Sequence, residues 1–170
     1  LTGDAAQYGV GVKNAIQLAV NEVNAAGGVN GNKLKLVFED DEADSGDKAV
    51  NAYNTLKDQG MQIFLGTVTT GSCLAVVDKS KQDNIFQFTP SASAQDVIAN
   101  DNCFQICFTD PNQGKASADY IADNKVATKI GVIYDSSDAY SSGIYNAFKT
   151  EAAAKGLELV SEPVSYTHLR

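Results

Sequence analysis

Hydroxyl-bearing residues collect in the stretch TVTTGSCLAVVDKSK, Thr67 to Lys81, directly after the apolar run IFLG. Three threonines, a glycine and a serine thus stand between a run that reads as a buried strand and one that reads as a helix. A plain turn needs only two or three residues with special backbone angles, not a row of hydroxyls. A helix starting near Gly71 leaves its first N–H groups unpaired and carries about half a positive charge at that end. With hydroxyl donors from Thr70 and Ser72 beside it, this corner suits a carboxylate or a phosphate; capping of the helix by one hydroxyl is the alternative. A second loop, TPSASAQD from Thr89, has the complementary character. Its carbonyls and the hydroxyls of Ser91 and Ser93 can accept from an ammonium, or can cap the short run Ala94 to Ala99. One zwitterion satisfies both loops.

Other chemistries lack their parts. The single histidine, His168, lies near the end of the chain, away from every hydroxyl loop. Serine or cysteine nucleophiles need a base within reach, so a hydrolase is not expected, and Cys73 at a helix start has no partner base. Asp40 and Asp41 resemble the acidic corner of a phosphoacceptor receiver, but the loop after the next strand offers TVTTGS and no acid. A calcium loop starting at Asp40 would put Ser45 where glycine is required and Asn51 where a bidentate glutamate is required. A solvated acidic turn is the reading that remains. Cys103 and Cys107 on one strand would lie roughly 13 Å apart at ~3.3 Å per residue, too far for a disulfide. Each cysteine reads as a small buried apolar residue. No metal and no cofactor is expected.

The 170 residues carry 13 Lys plus Arg against 21 Asp plus Glu, a formal charge of −8, with 44% hydrophobic residues. That is enough apolar material for a core. The basic residues are scattered rather than gathered in a stripe, so nucleic acid is not an expected partner. No apolar run reaches the ~18 residues of a membrane-spanning helix.

Periodicity then supplies the elements that must hold the loops. Val12, Ala15, Ile16, Ala19, Val20 and Val23 fall at helical spacing between Tyr8 and Ala26, and Gly27 and Gly28 stop the helix. LKLVFED from Leu34 reads as a strand, followed by a helix capped by Asp44 or Ser45 that carries Ala49, Tyr53 and Leu56 on one face. IFLG is the next strand, and Cys73, Val76, Val77 and Ser80 mark one face of the helix after it. IFQFTP and CFQICF read as strands. Asp110 followed by Pro111 predicts an N-cap and a helix through Asn124. KIGVIY is a strand, Ile144 to Lys155 a helix, and LELVS a strand. Such alternation predicts parallel sheets with right-handed crossovers, whose ligand loops lie at the carboxyl ends of the strands. The polar stretch DNKVATK, Asp123 to Lys129, is the expected boundary between residues 1–124 and 125–170.

Six motifs in order resemble a known family: LTGDAAQYG at the start, NAAGGVNGNKLKLVFEDD from Asn24, LGTVTTGS from Leu65, TPSASAQD from Thr89, FTDPNQG from Phe108 and YDSSDAYSSG from Tyr134. Together they are similar to the branched-chain amino-acid binding proteins of ABC importers, which have the type I periplasmic-binding-protein fold. This resemblance implies a doubly wound α/β architecture with parallel sheets: most of a first lobe lacking its first strand, plus the first βαβ unit of a second lobe. It implies a protein that does no chemistry but clamps a small amino acid between two lobes and delivers it to an ABC permease in the membrane. The location implied is extracytoplasmic, periplasmic or lipid-anchored. A ligand-sensing domain of a receptor or regulator is the alternative with the same fold.

By the same resemblance, Thr70 stands where a hydroxyl holds the ligand carboxylate, with Gly71 and Ser72 beside it. Ser91 presents its backbone carbonyl to the ammonium, and Ser93 binds through its hydroxyl and N–H. Tyr8 and Tyr140 wall the pocket from either lobe, and Asp110 is a polar residue near the cleft. A disulfide that some members carry would fall at Ala43 and Thr69, and is therefore not expected. A strand upstream of LTGD, preceded by a signal or lipoprotein sequence, and further alternating elements downstream are expected in the complete reading frame. The closing THLR departs from the polar run expected there.

Overall fold

The computed structural model describes residues 1–43 and 46–165. Five α-helices and seven short strands alternate along these residues: α1 (Ala6–Ala25), α2 (Asp47–Asp58), β1 (Ile63–Leu65), α3 (Thr70–Gln82), β2 (Phe86–Thr89), β3 (Cys103–Gln105), α4 (Asp110–Asp123), β4 (Lys129–Gly131), β5 (Tyr134–Asp135), α5 (Ala139–Ala154), β6 (Glu158–Ser161) and β7 (Val164–Ser165). A 3₁₀ turn, Gln95–Ile98, lies between β2 and β3. All the strand pairs are parallel, in sheets ordered β1-β2-β3, β4-β6 and β5-β7. Parallel pairing is what helical crossovers of this length require.

The hydrophobic spacing decides which faces are covered. Ala49 and Tyr53 of α2 pack with Phe64, Val76 and Ile85, and the Tyr53 ring meets Phe64 edge-on at 5.4 Å between centroids. A neighbouring cluster joins Cys73 and Val77 of α3 to Ala92, Val97 and Cys103. The predicted face of α3 is thus buried at Cys73, Val76, Val77 and Ser80. A third cluster collects Ala118 from α4, Phe148 and Ala152 from α5, and Leu157, with Ile130 of β4 and Leu159 of β6 against it. The stretch Asp123 to Lys129 links α4 to β4, two elements that both contribute to this third cluster.

Four expectations need correction. LKLVFED is not a paired strand: its residues carry no ladder, because no neighbour lies beside it among the described residues. A strand is stabilised by its ladder, so an apolar alternation without a partner stays merely extended. The same gap borders α1, whose apolar face is buried at Val20 but only half-buried at Val12, Ile16 and Val23. The α4 cap is Thr109, whose hydroxyl accepts from the Asn112 N–H at 3.4 Å, and Asp110 is the first helical residue. Helix α5 starts at Ala139 rather than Ile144, because Asp138 accepts from the Ser141 N–H at 2.9 Å and caps it early. KIGVIY, finally, breaks into β4 and β5, each with its own partner strand. The expected α2 caps Asp44 and Ser45, like His168 and the closing THLR, lie outside the described residues.

The acidic corner at Asp40 is a tether rather than a free turn. Its carboxylate accepts from the Leu1 amine at 2.5 Å, from the Thr2 N–H and hydroxyl, and from the Glu42 N–H. This holds the start of α1 against the end of LKLVFED.

Candidate functional site

Two hydroxyl loops meet where β1 and β2 end. After β1 the chain passes through Thr67 to Thr69 into α3; after β2 it passes through Pro90 to Ala94 into the 3₁₀ turn. Thr89 fastens one loop to the other: its hydroxyl donates to the Thr67 carbonyl at 2.7 Å and accepts from the Ala92 N–H at 3.1 Å. The Ser91 hydroxyl donates to the Val68 carbonyl at 2.5 Å, which leaves the Ser91 carbonyl on an exposed residue. Thr67 closes its own loop by donating to the Thr69 carbonyl at 3.0 Å.

The start of α3 is uncapped by a side chain. Thr69 occupies the N-cap position with extended backbone, but its hydroxyl donates to Ser72 Oγ at 3.0 Å instead of accepting a helix N–H. The Thr70 oxygen is engaged elsewhere, accepting from the Ser93 N–H at 3.1 Å. The N–H groups of Thr70 and Gly71 therefore have no intrahelical partner, and among the described residues no side chain caps the positive end of the helix dipole. Thr70 keeps a hydroxyl hydrogen to give. A hydroxyl donor beside open helix N–H groups is an anion-binding arrangement.

Ser93 links this corner to α4. Its carbonyl accepts from the Asp110 N–H at 2.9 Å, so Thr70, Ser93 and Asp110 form one continuous chain of buried residues. Asp110 is 1% exposed. Among the described residues, neither of its carboxylate oxygens has a partner in hydrogen-bond geometry. Burial pushes its carboxyl above the ordinary carboxylate range; the nearby Ser93 side chain offsets part of the shift, and the negative charge of Asp138 adds to it. Helix α5 approaches it closely: a Cβ on Gly143 would come within 3.2 Å of Asp110 Oδ2. A buried, unpartnered carboxylate at the meeting of three elements is a natural acceptor for a cation or for a ligand donor.

The eight residues singled out in the sequence distribute unevenly. Thr70, Gly71, Ser72, Ser91, Ser93 and Asp110 gather at this corner. Tyr8, in the first turn of α1, and Tyr140, in the first turn of α5, are 64% and 42% exposed. A cavity of about 110 Å³ lies behind the corner, between α1 and α2, lined by Val12, Phe38, Tyr53 and Phe64 among others; none of the eight lines it. Thr89, Asp138 and Gly143 were missed by sequence reasoning. Thr89 had a signal, a threonine at the end of a buried strand; the approach of Gly143 to Asp110 had none.

Among the described residues no cluster of three or more His, Cys, Asp or Glu side chains is placed to hold a metal ion. No described helix is long and apolar enough to cross a membrane.

Comparison with known proteins shows the family and the fold. A family model described as periplasmic binding protein matches residues 1–168. The chain is similar to Leu/Ile/Val-binding protein homolog 3 of Brucella melitensis, 35% identical over 92% of the chain and 43% of that protein. It is also similar to a Leu/Ile/Val-binding protein of Rhizobium johnstonii, 33% identical over 97% of the chain and 45% of the relative. In structure it superposes on the branched-chain amino acid transporter substrate-binding protein of Streptococcus pneumoniae, solved in complex with isoleucine. The TM-score is 0.87 at 26% identity, over 98% of the chain and 48% of that protein. The chain thus spans less than half the length of these relatives.

Proposed function

The chain belongs to the periplasmic-binding-protein family, and from that premise we propose that it supplies one side of a two-lobed clamp for a small amino acid, branched-chain or related. The clamp delivers its ligand to an ABC permease from outside the cytoplasm and leaves it chemically unchanged. The fold is that of type I periplasmic binding proteins. The observation that carries the reading is the open N-terminus of α3 with the Thr70 hydroxyl beside it, one hydrogen bond from Ser93. The ligand carboxylate sits against Thr70, Gly71 and Ser72. Its ammonium sits against the carbonyl of Ser91 and the hydroxyl of Ser93, with Asp110 behind them. Tyr8 and Tyr140 close the sides when the lobes come together.

Packing supports one division between the lobes. Because α4 shares a core with α5, β4 and β6, we place the boundary at residues 106–109, just after β3, rather than at Asp123 to Lys129. Asp110 then stands at the hinge, on the first residue of the second lobe.

The test is calorimetry on a form of the protein that contains both lobes, with a panel of free amino acids and their decarboxylated amines. At least one branched-chain or similar amino acid should bind tightly, while its amine should be rejected. Donors left unpaired in a closed cleft cost about 1–3 kcal/mol each. Equal affinity for both would remove the carboxylate site from the reading.

A further inference from the structure

Cys73 and Cys103 are 30 residues apart in sequence, one on α3 and the other on β3. They are 0% and 3% exposed and belong to one packed cluster with Val77, Ala92 and Val97. Gln87 defines their relation. It is the direct ladder partner of Cys103 between β2 and β3. Paired residues on adjacent strands project to the same face of a sheet, so Gln87 and Cys103 share a face. On that face the Gln87 amide donates to Cys73 Sγ at 3.2 Å, and also to the Gly66 carbonyl at 3.2 Å. The helix thiol therefore stands over the face of the sheet that carries the other thiol. Cys107 belongs elsewhere, its thiol donating to the Ala92 carbonyl at 3.5 Å.

The two thiols differ in character. Hydrogen bonding between them, together with burial, pushes Cys73 up; the same contact holds Cys103 below the ordinary thiol range. Cys103 is also the less enclosed of the two and so the first within reach of an oxidant.

We propose that Cys73 and Cys103 join in a disulfide when the chain folds in the presence of a disulfide oxidant, small-molecule or protein-borne. The Cys103 thiolate attacks one sulfur of the oxidant, whose S–S bond breaks and releases the first thiolate. Cys73, deprotonated in turn, attacks the Cys103 sulfur of the mixed disulfide and expels the second. Two cysteine thiols are oxidised to one disulfide, and the oxidant is reduced to two thiols that take up the two protons. Both sulfurs are enclosed in the finished fold, so the exchange belongs to folding or to transient opening of α3 from the sheet. The bond ties α3 to β3 just behind Thr70, which stiffens the ligand-facing corner.

Thiol counting tests this on the chain refolded with oxidised glutathione, quenched in acid, unfolded and alkylated. One alkylated cysteine is expected after oxidation and all three after reduction. Chymotryptic cleavage after Phe104 separates Cys103 from Cys107, so the expected linked peptides carry Cys73 and Cys103, with Cys107 alkylated. The Cys107→Ser variant should keep the bond. The oxidised chain should melt roughly 5 to 10 °C above the reduced one, by closure of a loop of about 30 residues. Three alkylated thiols after oxidation, a bond that includes Cys107, or a bond between two chains would each overturn the proposal. Because these readouts use no ligand, their outcome is independent of what the cleft binds.

Discussion

The backbone N–H of Ser93 donates to the Thr70 hydroxyl oxygen at 3.1 Å. The bond ties the first residue of α3 to the neighbouring loop. Thr69, in the N-cap position, turns its own hydroxyl to Ser72, so among the described residues no side chain caps α3, and the N–H groups of Thr70 and Gly71 lie one bond away from a second hydroxyl. Polar groups this buried are held only where they are paired or where a ligand will pair them.

Thr70→Ala is therefore expected to act twice. It leaves the buried Ser93 N–H without an acceptor, which costs about 1–3 kcal/mol of stability. It also removes a donor to the ligand carboxylate, a charged-group bond worth about 1.5–3 kcal/mol, or roughly ten- to a hundredfold in affinity. Thr70→Ser should restore both. Ser91→Ala breaks only the bond to Val68 and should leave affinity little changed. Melting and titration on the same two-lobed samples separate the two effects; early melting with unchanged affinity for Thr70→Ala would assign the threonine to the loop alone.

Asp110 makes stability depend on pH. Its carboxyl is raised by burial above the unfolded value, so between the two values the folded state binds more protons than the unfolded state. Stability then falls as pH rises from the unfolded value of about 3.9 through the folded one, and the penalty is fully present above it. Asp110→Asn abolishes the charge and should remove this penalty, so that at pH 7 the variant is the more stable of the two. Thermal melts from pH 4 to pH 8 should show the wild-type curve declining over a range where the curve of the Asp110→Asn variant is flat.

Gly114 sets the spacing of α4 and α5. A Cβ there would lie 2.3 Å from the Ile144 carbonyl oxygen and 2.7 Å from the Phe148 nitrogen, both backbone atoms that cannot step aside. Gly114→Ala gains helix propensity of about 1 kcal/mol. Overpacking of about 1–3 kcal/mol, or more against backbone, outweighs it. Denaturant unfolding followed at α5 should show net destabilisation, and an unchanged midpoint would place the helices further apart than described.

The gap beside β1 predicts a further behaviour. Extended residues 34–38 and the strand Ile63–Leu65 face each other across an apolar space of about 470 Å³, also lined by Ile16 and Val20. Leu1, held by Asp40, sits at its carboxyl end. An N-terminal extension of about six alternating apolar residues, an ordinary strand length, is expected to enter it and pair on both sides. Two or three inward side chains at about 1.5–3 kcal/mol each would add several kcal/mol. Without the extension, open apolar edges should favour association. Light scattering and melting of the two forms measure the difference; a monomeric, sharply cooperative melt of residues 1–170 would contradict it.

Much of this was legible in the order of residues. Helix α3 shows its buried face in the spacing of Cys73, Val76, Val77 and Ser80, because a helical period of 3.6 brings them to one side whatever the partner. Gly27 and Gly28 ended α1 with positive φ, as glycine allows. The hydroxyl corner proposed for an anion was visible in Thr70, Gly71 and Ser72 as a strand-to-helix loop, the kind of place where parallel sheets bind ligands. LKLVFED misled for a physical reason: alternation measures a strand's readiness to pair, not the presence of a partner.

What the sequence determined by itself is therefore local and periodic: the alternation of elements, their buried faces and the hydroxyl loops. Tertiary packing decided what those residues touch. It turned the Thr70 oxygen toward Ser93, buried the Asp110 carboxylate beneath Gly143 with no hydrogen-bond partner among the described residues, packed α4 against α5, and brought Cys73 over the face of the sheet that carries Cys103. Each is a contact between residues far apart in the chain. Such contacts depend on the relative placement of whole helices and strands, which packing energies set and local spacing does not encode.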